Sequence, residues 1–176
     1  MTFTETTLKG AYIIGIEKLQ DDRGFNARAM CQKEFAAHGL TSHFVQANIL
    51  FNRKKGTLRG FHYQIPPRAE TKLFRCIRGA VFDVIIDLRP DSPTYKNWFG
   101  VELSAGNYNM LYLPGNFAQG FITLADDTEL FYQVSEFYSP DHERGIRYDD
   151  PAFGVSWPIA VEVISSKDKS WSNYTG

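Results

Sequence analysis

The feature that most constrains the fold of this chain is a regular succession of short, strand-like segments between residues 45 and 135. In the segment 80–88, for example, Phe82 and Val84 fall on one face of a strand, and Val81 and Asp83 fall on the other. Gly, Pro, Asn and Asp separate the segments. Short strands at this spacing, with almost no helix between them, are typical of a sandwich or a barrel. The sequence therefore predicts an all-β fold.

The rest of the chain fits the same domain. Residues 2–20 alternate weakly and predict one or two further strands, and residues 30–39 contain the one helix that the sequence predicts, ended by Gly39. No linker, repeat or low-complexity tract interrupts the 176 residues. A chain of this length can bury a sizeable core. We therefore expect a single domain over residues 1–176.

Composition excludes several classes of protein. The chain is 43% hydrophobic and 15% aromatic, which is too apolar for a disordered protein. Its net charge of -1 argues against a nucleic-acid or membrane partner, because such binders need a basic excess. Cys31 and Cys76 lie far apart, and no CxxC pair or signal-peptide pattern occurs. We therefore expect a cytoplasmic protein without a cysteine-based zinc site.

The stretch 55–64 carries the residues best suited to chemistry. Arg59 is a fork-shaped donor for phosphate or carboxylate, and His62 is a candidate base near neutral pH. Because the two are an odd number of positions apart, a regular strand would place them on opposite faces. A bulge at Gly60 would bring both into one pocket. The alternative is a structural strand in which His62 is satisfied within the core.

Four titratable residues fall on four different predicted strands. Asp83 and Tyr132 share their strand faces with apolar residues, so their side chains are expected to point inward and to need partners. His62 and Lys72 lie on two other strands. If the four converge, the interior of the barrel is a site as well as a core.

A series of short motifs extends from about residue 6 to about residue 170. They include Arg23-Gly24-Phe25, Gln46-Ala47-Asn48, Arg59-Gly60-Phe61-His62-Tyr63-Gln64, Lys72-Leu73, Phe82-Asp83-Val84, Pro114-Gly115-Asn116-Phe117-Ala118-Gln119-Gly120-Phe121, His142-Glu143-Arg144-Gly145 and Ser165-Ser166-Lys167-Asp168. In their order and spacing the chain resembles the dTDP-4-dehydrorhamnose 3,5-epimerase family.

The resemblance implies a cupin-type jelly-roll barrel (a double-stranded β-helix) with a few short helices, in a homodimer with exchanged N-terminal segments. It also implies epimerisation, without a cofactor, of a nucleoside-diphosphate 4-keto-6-deoxyhexose. The substrate expected from the family is dTDP-4-dehydro-6-deoxyglucose, inverted at C3 and C5 in rhamnose-type deoxysugar biosynthesis for surface polysaccharide or glycoside. The partners expected are therefore this nucleotide sugar and a second copy of the chain.

The resemblance assigns four catalytic roles that suit this chemistry, since a C4 ketone acidifies the protons on C3 and C5. His62 is the base, oriented by Asp168, which lies in a tail that the sequence alone predicts to be exposed loop. Lys72 stabilises the enolate, and Tyr132 returns a proton from the other face. Nine residues are implied in substrate binding: Arg23 from the neighbouring subunit and Arg59 at the diphosphate, Gln46 and Asn48 at the base, Tyr138 at the nucleotide end, and Asp83, Gln119, Glu143 and Lys167.

The chain departs from two patterns. Many cupins bind metal through two histidines one residue apart, but Tyr63 and Gln64 follow His62, so no metal site is expected. The family has histidine where this chain has Gln119, which cannot take a proton at pH 7. Three further departures lie near the nucleotide end as the family places it: Leu50 and Asn52 replace serines, and the acidic residue after the Arg-Gly-Phe turn is replaced around Ala27-Arg28.

The same residues are compatible with several alternatives. A mono-epimerase would invert only C3 or only C5, and a related enzyme would use another nucleoside diphosphate. A 3,4-ketoisomerase of similar fold would move the carbonyl group. A sugar-nucleotide binding module would bind the ligand without proton exchange, and a purely structural barrel would bind none.

Overall fold

The computed structural model describes residues 1–176, in which strands dominate and two short helices occur. The helices are α1 (Gln32–Ala37) and α2 (Ser166–Ser170). The strands are β1 (Thr2–Glu5), β2 (Tyr12–Gly15), β3 (Lys18–Asp21), β4 (Gly24–Ala27), β5 (Gln46–Asn52), β6 (Thr57–Gln64), β7 (Lys72–Arg78), β8 (Ala80–Asp87), β9 (Trp98–Ser104), β10 (Met110–Leu113), β11 (Phe117–Thr123), β12 (Thr128–Val134), β13 (Glu143–Gly145) and β14 (Val163–Ile164).

Two antiparallel sheets form the barrel. One sheet has the strand order β1-β2-β10-β7-β12-β5. The other has the order β13-β6-β11-β8-β9, with β14 added in parallel to β6. Strands β3 and β4 form a separate hairpin. The arrangement is a cupin-type jelly roll, so the predicted all-β fold and its architecture are confirmed.

The two faces of β8 pack into different cores, as its alternating sequence predicts. Val81 and Ile85 join the cluster between the two sheets, together with Leu111 of the opposite sheet. Val84 and Ile86 face outward and are covered by residues of the C-terminal part of the chain. Since the inner face of β8 points into the barrel, any polar residue on it lies inside the molecule.

The helices cover the outside of the sheets. Phe35 of α1 is fully buried in a cluster that also contains Leu73 of β7, and Gly39 follows the helix with a φ of 69°, the left-handed conformation that ends helices. The predicted helix and its stop are therefore confirmed. The prediction of one helix was wrong, because α2 forms near the C-terminus. Neither helix has the length and apolar character that crossing a lipid bilayer requires.

Candidate active site

An open cavity of about 400 Å³ lies between the two sheets. This volume is in the range of pockets for small organic ligands. Nine of the residues predicted to act at the site line it: Gln46, Asn48, Arg59, His62, Lys72, Gln119, Tyr132, Tyr138 and Glu143. They come from both sheets and from the segment after β12, so the barrel closure itself assembles the site.

A bulge in β6 brings Arg59 and His62 to the same cavity. His62 is opposite Gln119 on β11, but Arg59 is opposite Phe121, so β6 carries one more residue than β11 over this interval. Gly60 occupies the bulge with a φ of 120°, and a Cβ atom there would lie 2.5 Å from the Cα of the facing strand. Only glycine fits this close approach. The predicted bulge is therefore confirmed.

His62 is held by a buried carboxylate. A hydrogen bond of 2.6 Å joins its Nε2 to Oδ1 of Asp168, and the backbone N–H of Gly60 lies 3.4 Å from the other carboxylate oxygen. Asp168 is 3% exposed, whereas one third of the His62 side chain is accessible from the cavity side. Burial is the largest effect and raises the pKa of Asp168, but the hydrogen bond and charge of His62, together with the hydrogen bonds from Gly60 and Ser165, outweigh it, and the pKa is lowered. The second ring nitrogen of His62 has no protein partner.

Two contacts stabilise helix α2, a cap on its first turn and a packed side chain just after its last residue. The Ser165 hydroxyl accepts a hydrogen bond of 3.0 Å from the backbone N–H of Asp168, which is a helix N-cap. After the helix, the Trp171 ring packs directly on Gly145, which pairs with His62 in the sheet. The expectation that Asp168 lies in an exposed loop was therefore wrong.

Lys72 and Tyr132 face the same cavity from neighbouring strands of the other sheet. Nζ of Lys72 lies 3.3 Å from Oε1 of Glu70, and the Lys72 side chain is only 11% exposed. Burial raises the pKa of Tyr132, and the charge of Glu70 adds to this effect while Arg59 opposes it. Tyr132 is therefore a protonated phenol near neutral pH, and its hydroxyl is bonded to no other protein group.

Asp83 lies behind the cavity wall and contacts it through Gln119. Nε2 of Gln119 is 3.0 and 3.2 Å from the two oxygens of Asp83, which is completely buried. Burial raises the pKa of Asp83 to about 8, although the Gln119 bond and the charge of Lys72 lower it. Asp83 therefore does not reach the cavity directly. The prediction that it takes part in substrate binding requires that it act through its contact with Gln119.

The mouth of the cavity carries a linked set of polar groups. Glu143 accepts hydrogen bonds from Lys167 at 2.6 Å and from the Tyr138 hydroxyl at 2.9 Å. Gln46 donates to Asn48 at 3.1 Å. Burial opposes ionisation of Glu143, but its two donors lower the pKa of that carboxyl. These groups place donors, acceptors and an aromatic ring where a ligand would enter.

Taken together, the cavity holds an oriented base, a cation and a phenol within one enclosure. No three side chains of His, Cys, Asp or Glu come together in the arrangement that a metal ion needs. Such a set can remove a proton from a carbon acid, stabilise the resulting anion and return a proton.

Comparison with known proteins identifies the family. A sequence profile described as dTDP-4-dehydrorhamnose 3,5-epimerase matches residues 5–175. An enzyme of that name from Sinorhizobium fredii is 41% identical over 171 residues, which cover 97% of this chain and 88% of the relative. The chain belongs to the dTDP-4-dehydrorhamnose 3,5-epimerase family. An epimerase is an isomerase, and the chain is an enzyme of this class.

Two solved structures of the family are closely similar. The dTDP-4-dehydrorhamnose 3,5-epimerase of Bacillus anthracis, with TDP and PPi bound, superposes with a TM-score of 0.94 at 39% identity, covering 98% of this chain and 99% of that one. A dTDP-6-deoxy-D-glucose-3,5-epimerase from Legionella pneumophila, in complex with dTDP-4-keto-L-rhamnose, has a TM-score of 0.91 at 34% identity, covering 98% and 92%. The predicted family membership is confirmed.

Arg23 is the one predicted site residue that the structure does not bring near the others. It lies at the tip of the β3–β4 hairpin, where its guanidinium bonds Asp21 at 2.6 Å and is 90% exposed. It does not line the cavity of its own subunit. The resemblance to the epimerase family led us to expect this residue from a neighbouring subunit.

Three positions that depart from the epimerase family pattern have different surroundings. Leu50 lines the cavity. Asn52 is buried and accepts a hydrogen bond of 2.8 Å from Nε of Arg59, so it orients that guanidinium. Arg28 instead pairs with Glu34 at 2.7 Å and is outside the cavity lining.

Three polar residues of the lining were missed by the sequence analysis: Tyr63, Gln64 and Glu70. Glu70 is bonded at 3.0 Å by Nε2 of Gln64, which is itself buried. The alternation of strands could have found one of them, because Gln64 is two positions after His62 on β6. Glu70 precedes β7, so strand alternation does not assign it to a face.

Proposed function

We propose that this chain inverts C3 and C5 of dTDP-4-dehydro-6-deoxyglucose, the reaction for which its relatives are named, in deoxysugar biosynthesis of the rhamnose type. The observation that carries the proposal is the placement of the His62–Asp168 pair, Lys72 and Tyr132 around one cavity. The dTDP and dTDP-sugar ligands of the related structures support a thymidine nucleotide as the substrate's carrier.

His62 is the base in this proposal. Its Nε2 is bonded to Asp168, so the other ring nitrogen is the one that takes a proton from C3 or C5 of the sugar. The electron pair of the broken C–H bond moves into the bond to C4, and the ketone oxygen becomes an enolate oxygen. The buried carboxylate then stabilises the imidazolium that forms. Asp168 acts on the substrate only through His62.

Lys72 and Tyr132 complete each inversion. The Lys72 ammonium faces the cavity and stabilises the enolate oxygen, where negative charge develops. Tyr132 gives its proton to the carbon from the face opposite His62, and the ketone is restored. Its raised pKa favours this role, because the hydroxyl stays protonated until the reaction uses it. Solvent then returns His62 and Tyr132 to their starting protonation states.

The mouth of the cavity binds the nucleotide in this proposal. Arg59 suits the diphosphate, since a guanidinium bonds phosphate oxygens in pairs. Gln46 and Asn48 offer amides to the base, and Tyr138 offers a ring for stacking. Glu143 accepts hydrogen bonds from both Lys167 and the Tyr138 hydroxyl, so it fixes the position of the Tyr138 ring.

We further propose a homodimer in which the N-terminal segments are exchanged and Arg23 enters the partner's site. All eight residues of β3 and β4 but one are exposed, including Leu19 at 75% and Phe25 at 41%. Ile49 and Phe51 are exposed on the outer side of the sheet that carries Lys72. Apolar surface of this kind marks protein contacts.

We propose that residues 1–176 work as a single domain, because β1 extends the sheet that carries Lys72 and the C-terminal α2 packs on β6, which carries His62. We also propose a cytoplasmic location, which the two unpaired cysteines, Cys31 and Cys76, support.

Proton NMR of dTDP-4-keto-6-deoxyglucose in D2O tests the function directly. We expect the wild-type protein to remove both the C3 and the C5 proton signals. We expect His62→Ala to remove neither. Loss of one signal would replace the proposal by a mono-epimerase. Binding of the nucleotide sugar without any exchange would replace it by a binding module, and a product with its carbonyl at C3 would indicate a ketoisomerase.

A further inference from the structure

Gln119 is placed beside the base by the register of the sheet. Its Cα is the direct partner of His62 across β6 and β11, and both side chains line the cavity. Directly opposed residues on one face of an antiparallel pair have Cβ atoms about 4.5–5.5 Å apart. A group on the sugar that reaches His62 therefore also reaches the Gln119 amide.

The amide of Gln119 has one end occupied and one end free. Its Nε2 contacts both oxygens of the fully buried Asp83 at 3.0 and 3.2 Å, and these are the hydrogen bonds that it makes. Its Oε1 has no protein partner. The only fully buried side-chain polar atoms without a partner are Nε of Arg75 and Nε1 of Trp171, so Oε1 of Gln119 is accessible to solvent. The free oxygen therefore faces the cavity, the space that Gln119 lines.

The free end of the amide matches a hydroxyl group better than a ketone. An amide oxygen accepts a hydrogen bond, which a hydroxyl can donate and a carbonyl oxygen cannot. If Asp83 takes up a proton, which its pKa of about 8 allows, the amide can turn over and present its N–H group instead. A hydroxyl both donates and accepts, so it keeps one hydrogen bond to Gln119 in either state.

We infer that Gln119, held by Asp83, is a substrate-positioning residue that hydrogen-bonds the hydroxyl group on C3 of the 4-ketohexose. The C3 hydroxyl is attached to one of the two carbons that react, and its direction fixes whether the C3 proton points toward His62. The inference rests on the proposed epimerase function. In this role Gln119 stays neutral and transfers no proton, but it controls the geometry of the reacting carbon.

A comparison of two substrates tests this role. Deuterium exchange at C5, the reacting carbon common to both, is measured as kcat/KM on dTDP-4-keto-6-deoxyglucose and on its 3-deoxy analogue. Gln119→Met removes the amide and keeps the length of the side chain. We expect this variant to lose about three- to tenfold on the 3-hydroxy substrate, as for one neutral hydrogen bond, and less than twofold on the 3-deoxy analogue. Gln32→Met, at an exposed position of α1, is the matched control and should leave both values unchanged.

The outcomes separate the inference from the function on which it rests. An equal loss on both substrates, or no loss on either, would overturn the role of Gln119 while the wild-type exchange upholds the epimerase. A wild-type protein that exchanges neither substrate would overturn both. If Gln119→Met unfolds at the same temperature as the wild-type protein, misfolding does not explain a loss of exchange activity.

Discussion

Oδ1 of Asp168 lies 2.6 Å from Nε2 of His62, although the two residues are 106 positions apart in the chain. Asp168→Asn keeps the size of the side chain but removes the charge that stabilises an imidazolium. We expect kcat for C3 and C5 exchange to fall by about 10²- to 10⁴-fold, with KM changed little. Proton NMR in D2O measures the rates. Asp149→Asn, which alters an exposed pair with Arg147, is the control and should retain full activity. Unchanged exchange in Asp168→Asn would remove the orienting role.

Tyr132→Phe separates proton removal from inversion. His62 can still take a proton from the sugar and return a deuteron to the same face. We therefore expect deuterium incorporation with retained configuration, while formation of the inverted product falls by about 10²- to 10⁴-fold. Measurement of isotope content by mass spectrometry and of configuration by NMR coupling constants resolves the two. If inversion continues at the wild-type rate, Tyr132 is not the acid.

The buried Asp83 predicts a pH dependence of stability. Its pKa is raised to about 8 in the folded protein, so between about pH 4 and pH 8 the folded state binds a proton that the unfolded state has released. The stabilisation is complete below about pH 4 and is lost as the pH rises through 8, with a slope of at most about 1.4 kcal/mol per pH unit. In Asp83→Asn this dependence should disappear. Urea unfolding of both proteins from pH 4 to pH 8 gives the difference in unfolding free energy between wild type and Asp83→Asn. A difference that does not vary with pH would contradict the prediction.

The contact of Trp171 with Gly145 predicts coupling between two positions. A Cβ atom at Gly145 would overlap atoms of the Trp171 ring, so Gly145→Ala should displace the end of α2 and cost about 1–3 kcal/mol of unfolding free energy. The displacement also moves Asp168 from His62 and should lower exchange more than tenfold. In the double variant Gly145→Ala/Trp171→Ala the alanine has room, and the combined cost should be smaller than the sum of the single costs by about 1 kcal/mol. Strict additivity would show that the two residues do not restrain each other.

The exposed Arg23 predicts complementation between subunits. Light scattering should give about twice the chain mass of 20.1 kDa. Arg23→Ala should raise KM about tenfold, because a bond to a charged group is lost. Refolding a mixture of Arg23→Ala and Asp168→Asn subunits should restore one complete site in each mixed dimer, if Arg23 acts on the partner's cavity. A monomer, or a mixture with no regained activity, would contradict the exchange. Arg147→Ala, at an exposed position, is the control for loss of a surface guanidinium.

The alternation of polar and apolar residues was sufficient to predict most of the barrel and the direction of its inward side chains. It placed Asp83 and Tyr132 inside, because a period of two assigns every residue of a strand to one face. It also predicted the irregularity at Gly60, since no regular strand could bring Arg59 and His62 together. Local chemistry of this kind is visible in the sequence because it depends on neighbours along the chain.

Contacts between distant segments could not be predicted in the same way. Asp168 sits in a polar tail, and its burial depends on the packing of α2 against β6, which no local pattern encodes. The pattern Ser165-x-x-Asp168 did carry a capping signal that could have indicated the helix. The contact of Asp83 with the cavity through Gln119 alone, and the distance of Arg23 from the cavity of its own subunit, follow only from the strand order and the hairpin geometry.

The position of α2 after all the barrel strands has a consequence for protein synthesis. Strands β1 to β12 are synthesised before Asp168, and at about 5–20 residues per second this carboxylate is added roughly 5–20 s after His62. During this interval the base lacks its partner. A newly made chain therefore has no oriented base until the segment that contains Asp168 has been synthesised and packed against β6.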